Sequence, residues 1–247
     1  MDNILLVGTG GTIACSEKEK ICLDRPFKIL DYCKYDNVHF DCVSPFFALS
    51  ENMNFDMWQK LYECINSVDF SKYKGVIVLH GSDTLSFTAS FLANAFYDKS
   101  IVVIASDKPL EDDTANGFEN FDLAVNAVLR GIDRVYVSYD GLHRAENNPP
   151  LTNPIFNPKN ILIITPCVNI DYNNYNLDGV DTVLHTMYHS ATAPQNVSDF
   201  YKKCRAKGIP FYFVTENSSA NYESAKDFES IIFNSTLESA YARLLLS

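Results

Sequence analysis

A chain of 247 residues can hold one large domain or two modest ones, and either buries a substantial core. Its 47% hydrophobic content, with 10 Gly and 10 Pro, is that of a globular protein and argues against extended disorder. A net charge of −11 argues against nucleic acid or anionic membrane as a partner, because both need clustered Lys and Arg. Lys18, Lys20 and the run Lys202, Lys203, Arg205, Lys207 lie beside acids or on an expected helix face, and read as solvated surface.

The seven cysteines show no close pairing of the zinc or thioredoxin kind. An odd number spread over such a length suggests reduced thiols in a cytoplasmic protein. The start, Met1-Asp2-Asn3, has no basic segment, its apolar run is too short for a signal peptide, and no run reaches a membrane span.

In chain order, residues 3–7 read as a strand, followed by a polar loop at 16–20 and a mixed stretch to Asp36. Residues 38–43 alternate loosely and read as a second strand. Over 54–68, Phe55, Trp58, Leu61, Tyr62 and Ile65 recur at helical spacing, with Asn52 or Asn54 as N-cap. The unbroken apolar run at 75–79 is expected of a strand buried on both faces. A helix over 86–97, a strand over 101–105, a helix over 118–130 ended by Gly131 and a strand over 135–139 follow. Residues 147–159 carry Pro149, Pro150, Pro154 and Pro158 and read as a linker. Beyond it come strands over 161–165 and 180–184, a helix over 197–206, a strand over 210–214 and a helix over 237–246. The expected fold is α/β: a larger N-terminal domain (1–146) with a mostly parallel sheet and flanking helices, plus a smaller C-terminal α/β domain (160–247).

Two loops that follow apolar strands carry the chemistry. Thr9-Gly10-Gly11-Thr12 lacks the lysine ending of a phosphate-binding loop and the third glycine of the dinucleotide fingerprint. It is either a tight turn or a place where free N–H groups beside a hydroxyl make a nucleophile with an oxyanion pocket. His80-Gly81-Ser82-Asp83-Thr84 sets a glycine, hydroxyls and a carboxylate between a buried strand and a helix. One of its polar residues is expected to cap that helix, but capping does not need all three. In open α/β sheets ligands bind beyond the carboxyl ends of the strands, so both loops belong at one site. Leu49-Ser50-Glu51-Asn52-Met53-Asn54 reads, on chemistry alone, as a capped helix start.

Taken together these segments resemble the L-asparaginase/glutaminase family. Thr9 to Ala14 resembles its T-G-G-T-I-A/G nucleophile loop, and His80 to Thr84 its H-G-T-D-T motif with Ser82 for the middle threonine. Ser50 to Trp58 is similar to its substrate-binding segment. Asn116-Gly117 to Val125 resembles its D-G-x-x-N-x-x-x-A-V helix start with Asn116 for Asp, and Ser235 to Leu245 its closing helix. The resemblance implies a Thr12 nucleophile, forming a β-aspartyl ester from a side-chain amide with release of ammonia, then hydrolysis. It implies Ser82 as the second catalytic hydroxyl and Asp83 as the partner of the substrate α-ammonium. Ser50 would hold the α-carboxylate, with Gly11, Glu51 and Gly81 beside it. It implies no metal and no organic cofactor, a small amide substrate, and a homo-oligomer, dimer or tetramer. The segment Val183 to Thr192 aligns with the family's contribution to a neighbouring subunit's site, making His185, His189, Thr192 and above all Ser190 candidates; each could equally be part of a capped turn with a core histidine.

Two departures stand out. The family's lysine, in an R-G-x-R-x-x-K stretch, is missing from Arg144-Ala145-Glu146-Asn147-Asn148-Pro149-Pro150, and no lysine follows until Lys159. The loop after the nucleophile has no tyrosine before Lys28; Tyr32 and Tyr35 are the nearest. Loss of general acid–base help costs roughly 10²–10⁴-fold. A catalytically impaired amino-acid-binding homologue therefore stands as the alternative. A nucleotide-binding α/β protein stands third, since no acid follows the Gly8 to Thr12 loop at the usual spacing.

Overall fold

Ile4, Leu5, Leu6 and Val7 are all buried, and so are all five residues from Gly75 to Leu79. Strands apolar on both faces belong in the middle of a covered sheet. That is where the computed structural model, which describes residues 1–247 except Lys18, Asn147, Lys226 and Asp227, has them. Lys18 of the basic run and Asn147 of the expected linker thus lie outside the described residues. Internal contacts divide the chain into Met1–Pro150 and Leu151–Ser247.

In the first unit β1 (Asp2–Gly8) is followed by a short antiparallel hairpin, β2 (Cys15–Glu17) and β3 (Ile21–Leu23), and then by β4 (Val38–Val43) and α1 (Phe55–Asn66). Next come β5 (Gly75–Leu79), α2 (Leu85–Ala95), β6 (Ile101–Ile104), α3 (Gly117–Leu129), β7 (Val135–Ser138) and β8 (Leu142–Arg144). The six-stranded sheet runs β4-β1-β5-β6-β7-β8, parallel except for the final pair. The chain leaves β1 toward β4 and returns to β5 on its other side. The order reverses there, and such a reversal opens a ligand crevice at the strands' carboxyl ends.

The helices form for local reasons. Asn54, not Asn52, caps α1, its side chain accepting from Met57 N–H, and Trp58, Leu61 and Ile65 are the buried face. Trp58 stacks on Phe91 of α2 with centroids 4.8 Å apart and donates from Nε1 to Thr88 Oγ1 at 3.0 Å. On α3, Phe121, Ala124, Val125 and Val128 recur every three or four residues and are buried. Each large apolar side chain so buried contributes roughly 2 kcal/mol. Gly131 follows α3 at φ +78°, the left-handed position that stops a helix.

The second unit stacks β9 (Ile161–Ile164), β10 (Thr182–Thr186), β11 (Phe211–Val214) and β12 (Ile231–Ile232) in a parallel sheet ordered β12-β11-β10-β9, with α4 (Val197–Ala206) and α5 (Leu237–Leu245). The architecture is α/β in both units. Beyond the two-residue β12, which no sequence pattern announced, the structure departs from expectation at three places. Residues 15–23 are a hairpin rather than a loop, β8 adds an antiparallel edge, and β10 starts at Thr182 because Val180 N–H closes a turn onto Leu177 O.

Candidate active site

Three loops meet at the carboxyl ends of β4, β1 and β5. Thr9 reaches across to β5, its N–H and Oγ1 both donating to Leu79 O at 3.0 and 2.7 Å. On the other side Ala48 N–H donates to Thr9 O and Gly11 N–H to Ala48 O, both at 3.0 Å. Thr84 Oγ1 donates to Ser50 O at 2.9 Å, and Ser50 Oγ lies 3.4 Å from Asp83 Oδ2. The backbones are so close that only glycine fits. A Cβ on Gly11 (φ +76°) would lie 2.2 Å from Gly81 Cα, and one on Gly81 would lie 2.3 Å from Ser50 Oγ. Gly11, Ser50, Gly81 and Asp83 are therefore neighbours across three separate segments.

Thr12 begins a single 3-10 turn, Thr12–Ala14, closed by Ala14 N–H onto Gly11 O at 3.0 Å and by Cys15 N–H onto Thr12 O. Thr12 and Ser82 are half-buried, and among the described residues neither hydroxyl makes a hydrogen bond within the chain. The cap expected of Ser82, Asp83 or Thr84 is not made by any side chain: Thr84 sits at the N-cap, but its hydroxyl goes to Ser50 O. Thr84 and Asp83 thus meet Ser50 of the neighbouring loop rather than capping the helix.

Asp83 and Glu51 are exposed, and among the described residues no Lys, Arg or His nitrogen lies within 4.0 Å of either carboxylate. Lys108, in the loop after β6, donates to Thr114 Oγ1 at 2.5 Å and lies 3.5 Å from Asp112 Oδ2. Nor do the two tyrosines stand in for the missing one. Tyr35 donates to Asp122 Oδ1 at 3.0 Å, with its hydroxyl pKa pushed up by burial and then by that bond, and Tyr32 packs on Phe118. Asn116, where the resemblance has Asp, uses both ends of its amide: Oδ1 accepts from Asp107 N–H and Nδ2 donates to Asp140 Oδ1 at 2.8 Å. A carboxylate there would face Asp140 with like charge.

Sequence reading missed a polar cluster behind the nucleophile turn. Lys28 is 3% exposed and donates to Cys15 O at 2.7 Å, to Ser16 Oγ at 2.5 Å and to Glu111. The one available signal was a cation inside the apolar run Phe27-Lys28-Ile29. Burial raises the Cys15 thiol above its ordinary range, with Cys22, Glu51 and Asp24 adding to the shift and Lys28 opposing it.

His80 is fully buried; Nδ1 bonds Gly81 O at 2.8 Å, and burial drives its pKa down to about 4. In the second unit His185 is likewise a core residue, between Tyr172 OH at 2.8 Å and Thr186 O at 2.6 Å, with its pKa lowered by burial to about 4. The other candidates of that segment lie in a turn after β10, where Ala191 N–H closes onto Tyr188 O at 2.8 Å and Ala191 has φ +53°. His189 and Ser190 are exposed there, Thr192 half-buried. Beside this turn a cavity of about 490 Å³, whose lining includes His189, Glu216, Asn217 and Glu238, opens at the carboxyl end of the smaller sheet.

The two histidines make a pH prediction. Both are neutral when folded and titrate near 6.5 when unfolded, so the unfolded state binds more protons between about 4 and 6.5. Their contribution is complete above pH 6.5 and falls as the pH drops toward 4, by on the order of 3 kcal/mol for each histidine. Urea midpoints are expected to be clearly lower at pH 5 than at pH 7; equal midpoints would contradict the reading.

Comparison with known proteins places this geometry. The model of the family described as "Asparaginase, N-terminal" matches residues 3–147, which contain all three loops. Curated relatives include a glutamyl-tRNA(Gln) amidotransferase subunit of Aeropyrum pernix, 30% identical over 130 residues, or 47% of this chain and 30% of that one. The corresponding amidotransferase subunit of Methanosphaera stadtmanae is 29% identical over 163 residues, 58% of this chain and 36% of that one. The matched part thus spans about a third of those relatives' length. Among solved structures, L-asparaginase I of Vibrio cholerae superposes with TM-score 0.78 at 22% identity, covering 99% of this chain and 92% of that one. A probable cytoplasmic L-asparaginase of Campylobacter jejuni gives 0.75 at 17%, covering 100% and 94%. With the fold shared along both chains and the family model spanning more than half of the residues, this chain belongs to the asparaginase family.

Proposed function

We propose that the protein is an amidohydrolase that cleaves the side-chain amide of L-asparagine, or of a related small amide, through a Thr12 acyl-enzyme. The observation that carries this is the pair of unengaged hydroxyls, Thr12 and Ser82, on loops whose glycines touch at the switch point of the sheet. Thr12 Oγ1 attacks the amide carbon, its proton passes toward the leaving nitrogen, and ammonia departs to leave an ester. Water then attacks the ester and returns the proton to Thr12. Ser82 orients or relays the proton. Asp83, which has no cation partner among the described residues, meets the substrate ammonium, and Ser50 beside it meets the α-carboxylate. Gly11 and Gly81 let the backbone close on a small ligand. Ser190 is proposed as a contribution to a neighbouring copy in a homo-oligomer, which light scattering would show as a dimer or tetramer. Reduced thiols fit a cytoplasmic setting, and all seven cysteines are unpaired.

Ammonia release from Asn, Gln and small amide analogues tests the reading; the amidotransferase relatives bring Gln into the panel. Release from none of them would defeat it. Glu51 stands beside Ser50, so it repels a substrate carboxylate. Glu51→Gln is expected to lower KM for Asn by roughly 3- to 10-fold, the scale of an exposed like-charge contact. An unchanged or higher KM would remove Glu51 from the site.

A second reading is favoured by one observation, the lack of any cation beside Ser82 and Asp83 among the described residues. It is an amino-acid-binding homologue that holds the ligand without turnover. Calorimetry with Asp and Asn discriminates: tight binding without ammonia supports it, and no binding of either defeats it.

A further inference from the structure

We propose that Lys28 is a positioning residue for Thr12, clamped by Glu111 and acting through the Cys15 carbonyl. This rests on the amide-hydrolysis reading of the same loop. The nucleophile turn has no regular helix to hold it: Ala14 and Cys15 N–H bond back to Gly11 and Thr12, Asp24 N–H reaches Ala14 O at 2.9 Å, and the chain then enters the short β2–β3 hairpin. The side-chain anchor of its far end is the Lys28 ammonium, which donates to Cys15 O at 2.7 Å and to Ser16 Oγ at 2.5 Å. Its third bond goes to Glu111, in the loop after β6, so one buried cation ties the strand leaving Thr12 to a different crevice loop. Ser16 Oγ, 2.9 Å from Asp24 Oδ2 and 3.0 Å from Glu111 Oε1, completes the cluster, and Asp24 Oδ2 stands 3.7 Å from the ammonium.

A lysine at 3% exposure is costly unless its charge is matched. Here the match comes from Glu111, whose carboxyl is held below its ordinary range first by the Lys28 bond. If only packing were served, an apolar residue would do at position 28. A carbonyl clamp three residues beyond the nucleophile instead fixes where the turn ends. The same turn carries the Cys15 thiol, fully buried and 3.3 Å from Gly11 O, which provides a reporter independent of activity.

The experiment compares wild type, Glu111→Gln, Lys28→Met and the double variant by steady-state ammonia release. Site-resolved alkylation mapped by mass spectrometry runs alongside, with half-buried Cys64 on α1 as the reference within the same unit. A misplacement of about 1 Å costs on the order of 10²-fold, so kcat is expected to fall roughly 10- to 100-fold with KM within about twofold. The double variant should be no worse than Lys28→Met, because both remove one clamp. Cys15 alkylation should rise about tenfold relative to Cys64, the open turn being the alkylated state. Unchanged kcat with a lowered Tm, or Cys15 and Cys64 labelling rising together, would overturn the proposal and leave Lys28 a purely structural residue. Should Glu111→Gln fold and Lys28→Met not, the first variant alone decides. A wild type that releases no ammonia defeats the amide-hydrolysis reading and the catalytic part of this one, while Cys15 labelling still tells whether the clamp holds the turn.

Discussion

Replacing Thr12 by Ala is expected to reduce ammonia release by roughly 10⁴- to 10⁶-fold, the scale seen when a hydrolase loses its nucleophile. The change removes one hydroxyl from a half-buried position where it makes no hydrogen bond among the described residues. Its effect on stability should therefore be small, within about 0.5 kcal/mol. Ala14 N–H, Cys15 N–H and the Thr12 carbonyl still close the turn, so the binding of Asp should survive. The informative outcome is the split between lost turnover and kept binding. A variant that still releases ammonia at a rate near wild type would move the nucleophile elsewhere, with Ser82 the next hydroxyl to examine.

The second large effect belongs to Gly11. Its φ of 76° with ψ of −176° falls in a region that is essentially open to glycine alone. Strain from any Cβ there costs about 1–3 kcal/mol before any clash. The clash itself is with backbone: 2.2 Å to Gly81 Cα, 2.3 Å to Gly81 N and 2.7 Å to His80 C, none of which can rotate away. Gly11→Ala must push the nucleophile loop and the Ser82-Asp83 loop apart. A Tm loss of roughly 5–10 °C is expected, since each kcal/mol moves a chain of this size by about 2–4 °C. Activity should fall by at least about 10²-fold through misplacement alone. A Gly11→Ala protein that melts and turns over like wild type would mean that the two loops are not in contact.

The core strands and the loops that follow them were legible in the sequence because burial on both faces leaves an unmistakable apolar run. The run from Gly75 to Leu79 matches its strand residue for residue, and α1 needed only a choice between two asparagines. The hairpin at residues 15–23 was not legible, since strands of three residues carry no periodicity, and β12 with two residues carries less. The reversed expectation at Thr84 has another cause. A hydroxyl before a helix suggests a cap, and only the fold brings Ser50 O within 2.9 Å to compete for it. Lys28 showed only as a cation within an apolar run, since its partners Ser16 and Glu111 are brought to it by the fold. What sequence did convey at the site was residue type, Thr12, Ser82, Asp83 and Ser50; what it withheld was which groups are already engaged.

The central claim is that Thr12 becomes acylated by an amide substrate. The direct measurement is to quench the enzyme in acid during turnover of Asn and the other amides, and to analyse the peptide containing Thr12 by tandem mass spectrometry. The account predicts an aspartyl ester on Thr12, absent in Thr12→Ala and accumulating as hydrolysis of the ester is slowed. Ammonia released at full rate with Thr12 unmodified at every quench time, under conditions that preserve esters, would contradict it.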